Sequence, residues 1–265
     1  MAARKETRSI ADFMADVAYR KDRAALARFA GTQTGLETPR DVYLAACTSI
    51  GAHLEESFGF KFAKSGPHSR KRSGDFTFQI SFQSSHHNIA GEHVNLCVHG
   101  AVLSARIKKW REEQPFLRSS DYVAGGQIGN LQADHCWLDW ELSDSHKRDE
   151  TIRDAIEVIE ELAFPYFAKF EELPSLFQFL VEGDLPGMPI DRVVEFLICF
   201  ADQPTARQAA TNFLKRRPDL LQTYRVEYER YAKLGLDSIH PTGYAEQLAF
   251  EAHAFKFGDV AESSA

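Results

Sequence analysis

"GDFTFQISFQSSHHNIAGEHVNLCVHG", residues 74–100, decides the fold through its alternation. Phe76, Phe78, Ile80 and Phe82 fall on one side of a period-two pattern, and Thr77, Gln79, Ser81 and Gln83 on the other. Successive side chains of a strand point to opposite faces, so the pattern predicts a strand with one apolar face. After a polar turn the alternation resumes, with Val94, Leu96 and Val98 opposed to His93, Asn95, Cys97 and His99. The link is too short for a crossover helix, which makes the pair antiparallel. Parity then sets Phe82 beside Val94, Ile80 beside Leu96 and Phe78 beside Val98. On the reverse face the same register expects Gln83 against His93, Ser81 against Asn95 and Gln79 against Cys97.

An apolar sheet face must be covered, and the flanking amphipathic segments are the local cover. Residues 10–29 read as a helix with Ile10, Phe13, Met14, Val17 and Leu26 inward. Thr38 followed by Pro39 announces a second helix, since a hydroxyl caps the first orphan amides and proline at the first position has none to lose. That helix runs to about Ser57 and stops at Gly59. "FKFAKS" reads as a strand joined to the opening stretch by the basic turn "GPHSRKRSGD", with further strands at Tyr122–Leu131 and Cys136–Leu142. From about Glu150 the spacing of Ile152, Ile156, Ile159, Leu162 and Ala163 predicts a helix that Pro165 must kink or end. Beyond Leu173 the pattern is helical, with Pro189, Pro204 and Pro218 near the starts of three short helices. The fold class expected is α+β. A mainly antiparallel sheet at residues 1–172, covered on one face by helices, is followed by a small all-helical domain at residues 173–265.

Composition narrows the function classes. A chain of 265 residues with 44% hydrophobic and 26% charged residues is that of a soluble globular protein. Its net charge of -7 lacks the basic surplus of a nonspecific nucleic-acid binder. Cys47, Cys97, Cys136 and Cys199 form no C-x-x-C pair, which fits reduced thiols in the cytoplasm. The first residues lack the apolar core of a secretory signal, and no run reaches the roughly 18 to 20 apolar residues of a membrane span. A cytoplasmic location without membrane contact is expected.

Candidate chemistry thins out on inspection. His93 and His99 sit roughly 20 Å apart along a strand, too far to share an ion. Cys97 and His99 are separated by one pleat, near 7 Å, beyond the hydrogen-bond reach a nucleophile needs from its base. His135 and Cys136 are adjacent, so a strand sends them to opposite faces. "AGGQIGN", residues 124–130, lacks the Lys-Ser or Lys-Thr pair and following helix of a phosphate loop, leaving strand and turn glycines. Trp137 and Trp140 are expected on opposite faces, while Leu221, Tyr224, Tyr228 and Tyr231 make one helical stripe suited to a core. Two candidate binding surfaces are left. One is the polar sheet face of Gln79, Ser81, Gln83, His93, Asn95, Cys97 and His99, and the other the basic turn with Arg70, Lys71 and Arg72. Neither calls for a metal or cofactor, and the residues single out no catalytic set.

The block Gly59–Trp110, with its helix ending in Gly-Phe and its phenylalanine-and-glutamine strand, resembles a bacterial family of domains of unknown function. The resemblance covers roughly residues 40–170 and includes the later tryptophan-bearing strand with Trp137 and Trp140. Some members of that family look like immunity proteins of bacterial toxin systems, which implies a binding role without chemistry. The expectation is a non-enzymatic protein-interaction module with a protein partner. The alternatives are a nucleic-acid-binding accessory protein using the basic turn and a cysteine/histidine-dependent enzyme.

Overall fold

The computed structural model describes residues 37–236 and 241–261, so the helix expected over residues 10–29 lies outside the described residues. Helix α1, Pro39–Phe58, starts where Thr38 Oγ1 accepts the Asp41 amide at 3.2 Å. It ends at Gly59, whose φ of 72° lets its amide turn back to the Glu55 carbonyl. Both ends are those that Thr38, Pro39 and Gly59 announce.

Strands β1 (Lys61–Ala63), β2 (His68–Ser73), β3 (Phe76–Ser84), β4 (Asn95–Leu103) and β5 (Tyr122–Gln127) lie in that order in an antiparallel sheet. Strand β6, Asp139–Glu141, pairs with the start of β4 through Asn95↔Glu141, Leu96↔Trp140 and Cys97↔Asp139. The Phe76, Phe78, Ile80 and Phe82 face is buried, as its alternation requires. Phe62 of β1 joins it, edge-on to Phe82, and Gly51 of α1 leaves the space its ring occupies. Phe167 stacks on Phe78 with ring centroids 4.8 Å apart. Burial of each such side chain stabilises by about 1.5–3 kcal/mol, which makes this face the main adhesive of the sheet.

The segment read as a basic turn is a strand. His68–Ser73 pairs along its whole length with β3, and only Gly74 and Asp75 remain to make the turn. Gly74, with φ 56°, takes the left-handed position that a two-residue hairpin demands. Ser69 faces the core at 0% exposure, whereas His68, Arg70 and Arg72 face outward. Strand β5 is shorter than expected, because Ile128–Leu131 winds into a 3₁₀ turn capped by Gln127 Oε1, which accepts the Gly129 amide at 2.8 Å. Trp140 is in the core and donates to Asp154 at 2.7 Å, while Trp137 is half-buried.

Helix α2 spans Ala105–Glu112 and helix α3 Arg148–Val158. A π-helical segment, Ile159–Ala163, leads from α3 into α4, Phe164–Ala168. Pro165 therefore does not end the helix, since a preceding wide turn accommodates the missing amide and the ring. Helices α5 (Leu173–Glu182), α6 (Ile190–Phe200), α7 (Gln203–Arg216), α8 (Leu221–Leu234) and α9 (Tyr244–Ala254) complete a helical C-terminal region. Pro189 and Pro204 stand at the starts of α6 and α7, and Pro218 opens a 3₁₀ turn before α8.

Two compact units emerge. One holds the described residues up to Val102 together with Gly125–Ala168, and the other holds Leu103–Ala124 with the described residues from Lys169 onward. In the second unit α6 packs on α7 and α8 on α9, around Phe196, Tyr224 and Tyr231. Arg111 enters this core fully buried and donates to the Ser120 and Tyr122 carbonyls at 2.8 and 2.7 Å.

Candidate functional site

The outward side of the sheet in the first unit collects the chemistry. Register places Lys61, Arg70 and Gln79 in one row across β1, β2 and β3, with Ala63, His68 and Ser81 in the next and Arg72 beside Thr77. Arg70 Nε donates to Gln79 Oε1 at 2.6 Å. Lys61, Arg70 and Arg72 are exposed, and Thr77, Gln79 and Ser81 are half-buried. The two candidate surfaces thus share one face, because the basic segment is a strand beside β3 and presents alternate residues to the same side. Lys71 pairs with Phe78 and belongs to the opposite parity.

Strand β4 continues this face but not in the expected register. His99 Nε2 lies 3.0 Å from Gln83 Oε1, so Gln83 meets His99 and not His93. The intervening loop consumes residues in a turn of its own, with Ile89 bridged to His93, and so shifts the pairing. Cys97 Sγ is 3.6 Å from the same His99 nitrogen, closer than the pleat spacing alone suggests, because the two side chains lean together. Burial pushes the Cys97 thiol up to about 12, against a lowering hydrogen bond from Gln127, and Asp139 adds to the rise. Burial also lowers the His99 imidazole below its ordinary range. At neutral pH both groups are uncharged, a neutral hydrogen-bonding pair and not a thiolate–imidazolium dyad.

His93, Asn95 and Cys97 are buried, unlike the exposed Gln83. Asn95 Nδ2 donates to Asp139 Oδ2 at 2.6 Å, and its amide donates to Asn88 Oδ1 at 3.0 Å. Asn88 in turn donates to Ser84 Oγ at 2.7 Å. His93 Nδ1 is bonded to Glu141 Oε2, and Glu141 Oε1 accepts the Val94 and Ser143 amides at 2.7 and 3.0 Å. Desolvation opposes ionisation of Glu141, yet the His93 bond and these two amides win and hold its carboxyl below the usual range. His93 and Asn95 therefore fasten the loop and β6 to β4, and Cys97 is buried beside them, leaving Gln79, Ser81, Gln83 and His99 as the accessible part.

Asp139, Glu141, Gln127 and Asn88 are the residues that sequence reasoning missed. "DWE" carried a usable signal, since a core Trp140 turns Asp139 and Glu141 together to the other face. Among the described residues, no three of His, Cys, Asp and Glu converge as a metal-holding group. No helix among them is long and apolar enough to cross a membrane.

No curated protein and no solved structure matches the chain. The outer face, its Phe-lined reverse and the cover helix through Phe167 all lie within one stretch, residues 54–169, that matches the family model described as Domain of unknown function (DUF4304).

Proposed function

We propose that the protein is a non-enzymatic interaction module whose contact surface is the outer sheet face of Lys61, Arg70, Arg72, Gln79, Ser81, Gln83 and His99. The observation that carries this is the common face of β2 and β3, where strand-borne cations adjoin a row of neutral donors and acceptors. Amides and hydroxyls on a rigid sheet suit hydrogen-bonded recognition, and fixed cations select a partner with an acidic patch. The neutral Cys97 and His99 support a binding role over nucleophilic chemistry. A cytoplasmic location fits four cysteines that form no disulfide. The finer reading, an immunity-type protein of a bacterial toxin system, rests on the resemblance of Gly59–Trp110 and makes the partner a cognate toxin.

Affinity capture with the intact chain from its native host, repeated with Arg70→Glu plus Gln83→Ala, tests the proposal. One protein partner should be retained by the parent and lost by the variant, with unfolding unchanged. Capture unaffected by the variant would overturn the assignment of the face.

The alignment of Lys61, Arg70 and Arg72 favours a second reading, contact with nucleic-acid phosphates. Such binding releases counterions and weakens steeply with salt. Retention on RNA or DNA at low salt, lost on Arg70→Ala with Arg72→Ala, would replace the protein partner by this one.

A further inference from the structure

A second, separate recess lies at the start of α1 in the first unit, a cleft of about 470 Å³. Three segments build its walls: the first turns of α1, the β1–β2 turn, and the end of β3 with the loop after it. Its volume falls in the range of small-ligand sites, about 300–1,000 Å³.

The lining has a consistent chemistry. Arg40 and Lys64 bring exposed cations to it, and none of its described lining residues is a carboxylate, in a chain where Asp and Glu outnumber Lys and Arg by 38 to 31. Among the described residues no carboxylate pairs with either cation. Asp41, the nearest acid along α1, is outside the lining and its carboxylate accepts the Thr38 hydroxyl at 2.6 Å. Ser84 and Ser85 add hydroxyls whose bonding is already half decided. Ser84 Oγ accepts from Asn88 at 2.7 Å, and Ser85 Oγ accepts the His87 amide at 3.1 Å. Each hydroxyl is used as an acceptor and retains its own proton to donate. The lining also includes the buried ring of Tyr43 and the ring of Pro67.

We infer that this cleft binds a small organic phosphomonoester, with the phosphate between Arg40 and Lys64 and its organic group against Tyr43 and Pro67. A phosphomonoester carries a charge of about −1.5 to −2 at neutral pH and three acceptor oxygens. Two cations balance that charge, and the two serine hydroxyls supply further donors. The guanidinium grips two oxygens at once, while the ammonium acts as a point charge. A carboxylate would balance only one cation and leave the other unpaired. The cleft is distinct from the outer sheet face, so its occupancy does not depend on the interaction proposed there.

NMR titration of the intact chain with inorganic phosphate, phenyl phosphate and phenol tests this. Phenyl phosphate should bind more tightly than inorganic phosphate, phenol should not bind measurably, and shifts should concentrate on residues 40, 64, 84 and 85. Arg40→Ala and Lys64→Ala should each weaken phenyl phosphate by about tenfold, the scale of one charge-assisted contact. Both side chains are solvent-facing, so thermal unfolding should not change. If Arg40→Ala disturbs folding, Arg40→Gln keeps the stem and reads the same loss. Absence of phosphate binding, equal binding of phenol and phenyl phosphate, or binding that survives the Arg40→Ala, Lys64→Ala double variant would each overturn the assignment.

Discussion

Arg111 Nε lies 2.6 Å from Glu195 Oε2 inside the helical unit, with the arginine side chain 0% and the glutamate 9% exposed. Removing one partner of such a pair leaves an uncompensated buried charge, at a cost of about 3–5 kcal/mol. Arg111→Ala should therefore lower stability to urea by that order. Arg111→Lys should recover little, because an ammonium cannot reach Glu195 and both the Ser120 and Tyr122 carbonyls in one plane. Wild-type stability in Arg111→Lys would show that charge alone suffices.

Glu251, 2% exposed on α9, is the opposite case. Desolvation, then the nearby Glu195 and Asp191 charges, raise its carboxyl well above the ordinary 4.5, with Arg192 and Arg111 opposing. Below about 4.5 folded and unfolded chains both hold the proton. As pH rises the unfolded chain releases it first, so stability falls until the folded carboxyl also ionises. The slope from this group reaches at most about 1.4 kcal/mol per pH unit. Glu251→Gln should remove the decline and gain over the parent as pH increases from 5 towards neutrality, as read by denaturation at several pH values. Parallel curves for parent and variant would show the group ionises equally in both states.

The three glycines of "AGGQIGN" should respond unequally to alanine. At Gly125, φ 140°, an added Cβ meets the Gly100 carbonyl, and at Gly129 it meets the Cys136 carbonyl. Backbone cannot yield as a flexible side chain can, and losses of about 3 kcal/mol or more are expected at both positions. Gly126 has only ordinary contact with Asn130 at 3.9 Å, so Gly126→Ala should cost no more than about 1 kcal/mol. Chemical unfolding of the three variants checks the order.

Cysteine labelling should separate one thiol from the rest. Cys47, Cys97 and Cys136 are buried, and burial pushes Cys47 and Cys97 up to about 12, while Cys199 is half-buried. Since the thiolate is the reacting species, iodoacetamide at neutral pH should modify Cys199 first and the other three only on unfolding. Peptide mapping by mass spectrometry reads the order. Early modification of Cys97 in the native protein would contradict the neutral thiol and revive a nucleophilic role.

The Phe76 series was legible because bulky residues at period two announce a half-buried strand whatever its partners are. Thr38, Pro39 and Gly59 were legible for a related reason, since caps are local. Strand β2 was not, because "HSRKRS" has no apolar alternation, its identity coming from pairing with β3. The β3–β4 register failed where a loop folded on itself through Ile89 and His93. At the candidate site, residue types could be read but not partners: His93 finds Glu141 48 positions away, and nothing local marks that meeting. The cleft at Arg40 and Lys64 likewise joins a helix start to a hairpin turn that no spacing rule connects.

The wide turn at Ile159–Ala163 solves a phase problem. Ala155, Ile159, Ala163 and Phe167 are all buried and recur every four residues, whereas an α-helix repeats every 3.6. Each step overshoots by about 40°, so three steps on a straight helix would swing Phe167 about 120° away from the line of Ala155. One extra residue in a single turn cancels most of that, bringing Phe167 back over Phe78. The segment thus behaves as an absorbed one-residue insertion. Deleting Glu161 should therefore restore regular helical hydrogen bonding and leave everything after it in phase, since eleven α-helical steps from Ala155 end only about 20° from whole turns, with Phe167 still stacked on Phe78.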